Sequence, residues 1–177
     1  RGLLQQGHGQ VPEAAGAQLG KFAESYCLRV SETGALLAGA DEPGLYYAAV
    51  TLLQLYRAQL IRKHEPAMAA AEIVDWPDRP LRIVVHWLGG RYRGKEPLYD
   101  LAFLKRWIKD HLAGQKYNCW SLMLNEAFPF DRQACVTFKG ETRSSLTRAE
   151  YEEIVRFARE HFVEVIPAFQ SGGHSAH

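Results

Sequence analysis

Apolar and polar residues alternate near the start of the chain in a pattern that predicts a β-hairpin. Tyr26, Leu28 and Val30 alternate with polar residues, and the segment SETG follows them directly. A second short apolar run, residues 35–38, comes after this segment. Glycine stands where a tight turn between two strands requires it, so we expect two antiparallel strands here.

Apolar residues then recur at helical spacing over residues 41–61. Asp41 can cap the start of a helix, and Pro43 suits its first turn. The face expected to lie on a sheet consists of Leu45, Ala49, Leu52, Leu53, Tyr56 and Leu60. A hairpin and one helix form too small a core to be stable alone. We therefore expect the hairpin and helix either to be part of a small α/β layer or to pack against a neighbouring domain.

The second half of the chain changes to alternating strands and helices. Short apolar runs predict strands, and amphipathic segments between them predict helices; one helix has the buried stripe Leu101, Leu104, Ile108 and Leu112. A capping box, Thr147-Arg148-Ala149-Glu150, starts the other helix. The predicted strands cover 81–87, 118–124 and 163–169, and the predicted helices cover 98–114 and 147–162. The order β-α-β-α-β predicts parallel strands joined by right-handed crossovers.

The stretch between the two halves, residues 61–80, is predicted to be a connection. Trp76-Pro77 and Arg79-Pro80 interrupt regular structure there. We place the domain boundary in this stretch, which gives a first domain over residues 1–72 and a second over 73–177.

Composition and charge narrow the class of protein. A net charge of +1 over 177 residues, with no basic run, gives no support for nucleic-acid binding. No apolar stretch approaches the length of a membrane span. The first residues lack the pattern of a signal peptide. We therefore interpret the chain as an interior piece of a longer protein and leave its compartment open, an extracellular or periplasmic parent included.

Neither the cysteines nor the histidines predict a metal site or another cofactor. The three cysteines lie far apart with no CxxC spacing, which excludes a full disulfide framework and a zinc ribbon. His174 and His177 resemble a metal-binding pair, but no third ligand follows at a sensible spacing. Phosphate-binding glycine loops and the serine-hydrolase motif GxSxG are also absent.

Polar residues follow each predicted parallel strand. In parallel α/β proteins the site lies at the carboxyl ends of the strands. The candidates are His86, Arg91 and Arg93 after strand one, Asn125 and Glu126 after strand two, and Gln170 and His174 after strand three. His86 lies within an apolar run, so we expect a core histidine with satisfied hydrogen bonds.

Four segments carry a resemblance to a known family. They are GALLAGADEPGLYYAAVTLLQLY, IVDWPDRPLR, YNCWSLMLNEAF and LTRAEYEEIVRFAREHFVEVIPAFQSGGHS. Over residues 24–177 the sequence resembles glycoside hydrolase family 20, the β-N-acetylhexosaminidases. The resemblance implies an α/β fold with a small, zincin-like helper domain. The first three β/α units of a (β/α)₈ TIM barrel would follow, with the barrel incomplete in this chain.

The resemblance also implies a reaction and a carbohydrate partner. Retaining hydrolysis would be assisted by the 2-acetamido group of the sugar. The family's Asp-Glu pair follows strand four and is expected beyond His177, so the resemblance assigns no catalytic residue to this chain. The fragment alone is expected to be inactive, and its unpaired strands could lead to self-association.

Three residues match supporting positions of the family. Arg91, or alternatively Arg93, would hold hydroxyls of the terminal sugar. Glu126, with Asn125, occupies the place of a Thr-Asp pair, and His174 would support the catalytic carboxylates. The sequence also departs from the family, because Ala168 and Gln170 stand where acidic residues are common, and Ser121-Leu122-Met123 replaces a tryptophan–histidine signature.

Two other interpretations remain open. The chain could be a non-catalytic carbohydrate-binding or assembly module whose aromatic residues stack on sugar rings, namely Trp87, Tyr92, Trp120 and Phe128. It could also belong to a different barrel glycosidase with the same helper domain, such as an α-N-acetylglucosaminidase.

Overall fold

A computed structural model describes residues 4–6, 19–63, 68–87, 99–123 and 146–168. The chain forms two compact units, Arg1–Pro80 and Leu81–His177. The first contains β1 (Leu4–Gln6), β2 (Tyr26–Ser31), β3 (Gly34–Gly39), α1 (Glu42–Lys63) and β4 (Ala71–Asp75). The second contains β5 (Ile83–Trp87), α2 (Leu101–Arg106), β6 (Cys119–Met123), α3 (Arg148–Glu160) and β7 (Glu164–Ala168).

The first unit is an antiparallel sheet with the order β1-β3-β2-β4. The predicted hairpin is confirmed, since β2 and β3 pair from Tyr26↔Gly39 to Ser31↔Gly34. Gly34 has a φ of +144°, a conformation that residues with a side chain rarely adopt. Glycine at this position therefore allows the chain to reverse.

The predicted helix is also confirmed as α1, and Asp41 caps it. The Asp41 carboxylate accepts hydrogen bonds from the Gly44 amide (2.9 Å) and from the Glu24 amide (2.9 Å). A side chain at Gly44 would meet the Ser25 carbonyl oxygen at 2.4 Å. The cap and the close approach of Gly44 fix the start of α1 against the end of the sheet.

The face predicted to be buried on α1 is wrong in part. Tyr47, Ala48 and Thr51 are the buried residues, whereas Leu53 and Leu60 are exposed. Apolar residues lie on more than one side of this helix, so their spacing does not select the inner face. Thr51 faces inward because its hydroxyl has a buried partner, the hydroxyl of Tyr26 at 2.7 Å.

The predicted domain boundary needs a correction. Residues 61–80 were expected to form a connection, but β4 lies inside this stretch and pairs with β2 from Tyr26↔Asp75 to Val30↔Ala71. A boundary between residues 72 and 73 would divide β4. The units divide after Pro80 instead, because β4 completes the edge of the first sheet before the prolines interrupt the chain.

The second unit contains a parallel sheet with the order β5-β6-β7, as the strand–helix alternation predicted. Thr147 starts α3 with the expected capping box, in which its side chain accepts a hydrogen bond from the Glu150 amide at 3.2 Å. The Glu150 carboxylate in turn accepts one from the Thr147 amide at 2.8 Å.

The helix after β5 changes its geometry along its length. It continues from α2 into a π-helical turn, Trp107–Leu112, and a short 3₁₀ turn, Ala113–Gln115. The buried residues Leu104, Ile108 and Leu112 are spaced by four. In a regular α-helix each such step would rotate the apolar stripe by about 40°. The wider π-helical turn keeps these residues closer to one face.

The two faces of the parallel sheet have opposite characters. Trp120 and Leu122 are fully buried on the face that the helices cover. On the other face Val85 is 62% exposed, and Ile83 and Ile166 are also exposed. In the part of the sheet that the structure describes, this second face therefore leaves branched apolar side chains exposed.

We expect the buried hydroxyl of Tyr26 to be important for the first unit. It bonds the Thr51 hydroxyl (2.7 Å) and the Asp75 carboxylate (2.8 Å), and so connects β2 with α1 and β4. Tyr26→Phe should destabilise the unit by about 2 kcal/mol, because polar groups lose a buried partner. Amide hydrogen exchange in β2 should become about thirty-fold faster. Tyr56→Phe removes a half-buried hydroxyl from α1 and is the matched control; an equal effect of the two variants would contradict this account.

Candidate functional site

The carboxyl ends of the three parallel strands lie at one level. Trp87 pairs with Met123, and Met123 pairs with Ala168, at the last positions of β5, β6 and β7. Neighbouring strands are about 4.8 Å apart, so the three chain exits fall within about 10 Å of one another. The segments that follow these exits carry the polar residues singled out in the sequence. This edge is therefore the candidate functional site.

The predicted site residues Arg91, Glu126 and His174 lie outside the described residues. The same holds for Arg93, Asn125 and Gln170. The structure thus brings together the strand ends that precede these residues.

His86 is the predicted candidate that the structure describes in full. Its ring lies on the helix side of β5, with centroid distances of 5.2 Å to Tyr99, 5.4 Å to Trp107 and 6.0 Å to Trp120. The predicted core position is confirmed only in part, because His86 is half-buried, and its Nδ1 lacks the expected hydrogen bond. Nδ1 of His86 is buried without a hydrogen-bond partner, and so are the indole nitrogens of Trp107 and Trp120.

The surroundings of His86 disfavour its charged form. Burial lowers its pKa from the ordinary value of 6.5, because the imidazolium would lose its hydration. The rings of Tyr99, Trp107 and Trp120 surround the imidazole with aromatic groups. His86 is therefore a neutral ring inside an aromatic cluster.

Sequence reasoning missed the aromatic partners of His86. Tyr99, Phe103, Trp107 and His111 recur at intervals of four along the helix after β5. Their successive rings contact one another, with centroid distances of 5.0, 6.5 and 4.7 Å. This interval of four was the signal in the sequence, because residues four apart are neighbours on a helix surface. We refer to these residues as the aromatic ladder.

Trp120 cannot serve as an exposed platform for a sugar ring. It is 0% exposed and stacks on His86 inside the second unit. The prediction that it could stack on carbohydrate is therefore wrong. Tyr92, Phe128 and the side chain of Trp87 lie outside the described residues.

Cysteine and metal chemistry receive no support from the part of the chain that the structure covers. Cys27 and Cys119 are buried free thiols, and burial raises the pKa of both, so they stay protonated. Among the described residues no group of three or more His, Cys, Asp and Glu side chains could hold a metal ion. Within the same ranges no helix has both the length and the apolar character needed to cross a membrane.

The burial of His86 predicts a pH-dependent stability for the second unit. Well above the ordinary pKa of about 6.5, the side chain is neutral in both the folded and the unfolded state. As the pH falls below this value, the unfolded chain binds a proton that the folded chain resists, so the free energy of unfolding decreases. Urea unfolding followed by tryptophan fluorescence, between about pH 7.5 and about pH 5.5, should reveal this loss.

The variant His86→Phe keeps a ring at this position but cannot bind a proton. It should therefore lose the part of the pH dependence that His86 contributes. The matched control is His111→Phe, which changes the exposed end of the aromatic ladder and should retain the pH dependence. An unchanged pH profile in His86→Phe would contradict the assignment.

Comparison with known proteins gives matches to one family of glycosidases. Residues 5–76 match the model of glycosyl hydrolase family 20, domain 2. The chain is 30% identical over 162 residues to a chitooligosaccharidolytic β-N-acetylglucosaminidase of Ostrinia furnacalis, covering 85% of this chain and 26% of that protein. It is 28% identical over 159 residues to β-hexosaminidase A of Caenorhabditis briggsae, covering 86% of this chain and 27% of that protein.

A solved structure agrees with these relatives. The family 20 β-N-acetylhexosaminidase from Streptomyces coelicolor A3(2) has a TM-score of 0.66 and 26% identity, covering 82% of this chain and 31% of that one. The chain thus spans about a quarter of the length of the curated relatives that it matches. The resemblance to glycoside hydrolase family 20 is confirmed, and residues 5–76 match the second domain of that family.

Proposed function

We propose that this chain is part of a retaining glycoside hydrolase that removes terminal N-acetylhexosamine residues from glycans. The observation that carries the proposal is the shared level of the strand ends Trp87, Met123 and Ala168. Such an edge directs the segments that follow it toward one site. The relatives, which are named as hexosaminidases, support carbohydrate as the partner.

The proposed reaction uses the substrate as its own nucleophile. A glutamic acid protonates the glycosidic oxygen while the carbonyl oxygen of the 2-acetamido group attacks the anomeric carbon, and the bond to the leaving group breaks. An aspartate orients the acetamido group. The glutamate then accepts a proton from water, which attacks the same carbon and opens the cyclic intermediate. Two displacements at one carbon give a product that retains its configuration.

We propose that the second unit corresponds to the first three β/α units of a (β/α)₈ barrel, preceded by a zincin-like helper domain. Two features of the second unit support this. The strands are parallel in the order β5-β6-β7, and the face opposite the helices carries exposed branched residues, Ile83, Val85 and Ile166. Branched side chains in layers fill the interior of such barrels.

In this proposal the chain contributes supporting residues. Arg91 holds hydroxyls of the terminal sugar, Glu126 belongs to the hydrogen-bond network of the site, and His174 supports the catalytic carboxylates. The Asp-Glu pair follows a fourth strand, beyond His177. The general acid of the proposed reaction is therefore the glutamate of that pair, and not Arg91, Glu126 or His174.

The exposed sheet face also needs a cover in this proposal. Val85 and Ile166 align with Ser121 across the sheet, so they form one continuous surface. Further barrel strands would cover it in the parent protein. In the isolated 177-residue chain a second copy would cover it, because burying branched side chains releases free energy of about 25 cal/mol per Å².

The binding-module alternative is weaker. Among the aromatic residues that could have formed a sugar platform, Trp120 is fully buried. The match of residues 5–76 to family 20 also favours this family over another barrel glycosidase with a similar helper domain.

The requirement for the acetamido group tests the proposed reaction. The longer natural protein that contains these residues should hydrolyse p-nitrophenyl N-acetyl-β-glucosaminide. It should fail on the matched glucoside, which has a hydroxyl in place of the acetamido group and so lacks the internal nucleophile. The 177-residue chain alone should release no p-nitrophenol. Equal turnover of both substrates, or turnover by the chain alone, would refute the proposal.

Two arginine variants in the same assay separate the candidates for sugar binding. Arg91→Ala should raise KM about tenfold to a hundredfold, since a sugar hydroxyl loses a charged hydrogen-bond donor. Arg93→Ala removes an identical side chain two positions away and should change KM much less. The opposite result would move the role to Arg93.

A further inference from the structure

In the described part of the chain, the buried side-chain nitrogens that lack a hydrogen-bond partner belong to neighbouring rings of the second unit. They are Nδ1 of His86 and the indole nitrogens of Trp107 and Trp120. The ring centroid of His86 lies 5.4 Å from that of Trp107 and 6.0 Å from that of Trp120. Buried polar groups without a partner are rare, because each one costs free energy. Their occurrence around one imidazole ring therefore indicates a shared binding site.

The three nitrogens define the chemistry of a molecule that would satisfy them. An indole N–H can only donate a hydrogen bond. Burial lowers the pKa of His86, and a neutral imidazole has one nitrogen that donates and one that accepts. If Nε2 carries the proton, the buried Nδ1 accepts. The matching molecule must therefore accept two hydrogen bonds and donate one. This set excludes a metal cation, which the two N–H groups would repel.

A single water molecule has the required groups and size. Hydrogen bonds between nitrogen and oxygen are about 3 Å long, so one oxygen atom can bridge nitrogens up to about 6 Å apart. The separations of the ring centroids, 5.4 and 6.0 Å, are of this size. A buried water typically makes about three hydrogen bonds. The number of available partners therefore matches that of a buried water.

Packing fixes the rings that carry these nitrogens. Along the aromatic ladder, Trp107 contacts Phe103 on one side and His111 on the other, with centroid distances of 6.5 and 4.7 Å. Trp120 is 0% exposed on the central strand β6, and pairing with β6 fixes the backbone of His86 on β5. The nitrogens thus cannot turn toward solvent unless these contacts break.

We propose that His86, Trp107 and Trp120 form an internal water site. The two indole N–H groups donate to one water molecule, and that molecule donates to Nδ1 of His86. The water connects the helix after β5 with the strands β5 and β6, and it fixes the imidazole in the form that is protonated on Nε2. This inference does not rest on the proposed function, because it needs no substrate and no residue outside the three rings.

Magnetisation transfer from water tests the site in the 177-residue chain labelled with ¹⁵N. The indole N–H protons of Trp107 and Trp120 should give cross peaks to water that have opposite signs in NOE and ROE spectra. This pattern reports a bound water, whereas proton exchange gives the same sign in both spectra. Trp76, which stacks on Phe22 in the first unit, is the internal reference and should lack the pattern. Its absence from either Trp107 or Trp120 would overturn the proposal.

The protonation of His86 gives a second, independent readout. Imidazole ¹⁵N spectra at neutral pH should show the proton on Nε2, because Nδ1 accepts from the water. A proton on Nδ1 would contradict the proposed arrangement.

A matched pair of variants isolates the acceptor. His86→Asn and His86→Leu introduce side chains of nearly the same shape, but asparagine alone keeps a polar atom bonded to Cγ, as Nδ1 is. The water cross peaks of the indoles should persist in His86→Asn and fall to the level of Trp76 in His86→Leu. Equal intensities in the two variants would refute the role of Nδ1. If neither variant folds, the spectra of the wild-type chain decide.

A chloride ion is the competing occupant, because it could accept hydrogen bonds from both indoles. Replacement of sodium chloride by sodium sulfate at constant ionic strength should leave the indole N–H resonances of Trp107 and Trp120 unchanged. A shift of both resonances on this replacement would show that the site binds an anion and would overturn the assignment to water.

Discussion

The in-register pairing of three parallel strands is the constraint on which the second unit depends. Because Trp87, Met123 and Ala168 pair at the same level, the chain leaves the sheet three times at one edge. A slip of one residue would exchange the two faces of a strand. Trp120 would then leave the helix side, and His86 would lose its stacking partner. The register thus determines where the strand ends of the candidate site lie. It also determines which side chains of the sheet face the helices.

The same register places side chains of different burial on the two faces of this sheet. On the helix side of the sheet, Trp120 and Leu122 of the central strand are fully buried. Val85 and Ile166, on the opposite face, are exposed branched residues in line across the sheet. Such a surface is common inside a closed barrel and unusual on a soluble surface. The two faces of the second unit's sheet therefore meet different surroundings, in the part of the chain that the structure describes.

Local signals in the sequence predicted most elements, and tertiary contacts account for the errors. The hairpin, α1 and the capping box at Thr147 follow from turn, cap and periodicity rules that act within a few residues. The inner face of α1 could not be predicted from such local rules, because the Tyr26–Thr51 hydrogen bond joins residues far apart in sequence. β4 was missed for a similar reason, since its pairing with β2 is long-range. The strand ends of the candidate site were predicted correctly, but the aromatic contacts of His86 needed coordinates.

Helix packing links the aromatic ladder to the rest of the second unit. Lys105 on α2 forms an ion pair with Glu153 on α3 and lies 5.4 Å from the ring centre of Phe157. A surface ion pair contributes at most about 1 kcal/mol, so this pair is one contact among those between α2 and α3. The helix that begins with α2 also carries Trp107, whose ring lies beside His86. A site at the strand ends can then rest on helices and strands, which hold side chains more accurately than loops do.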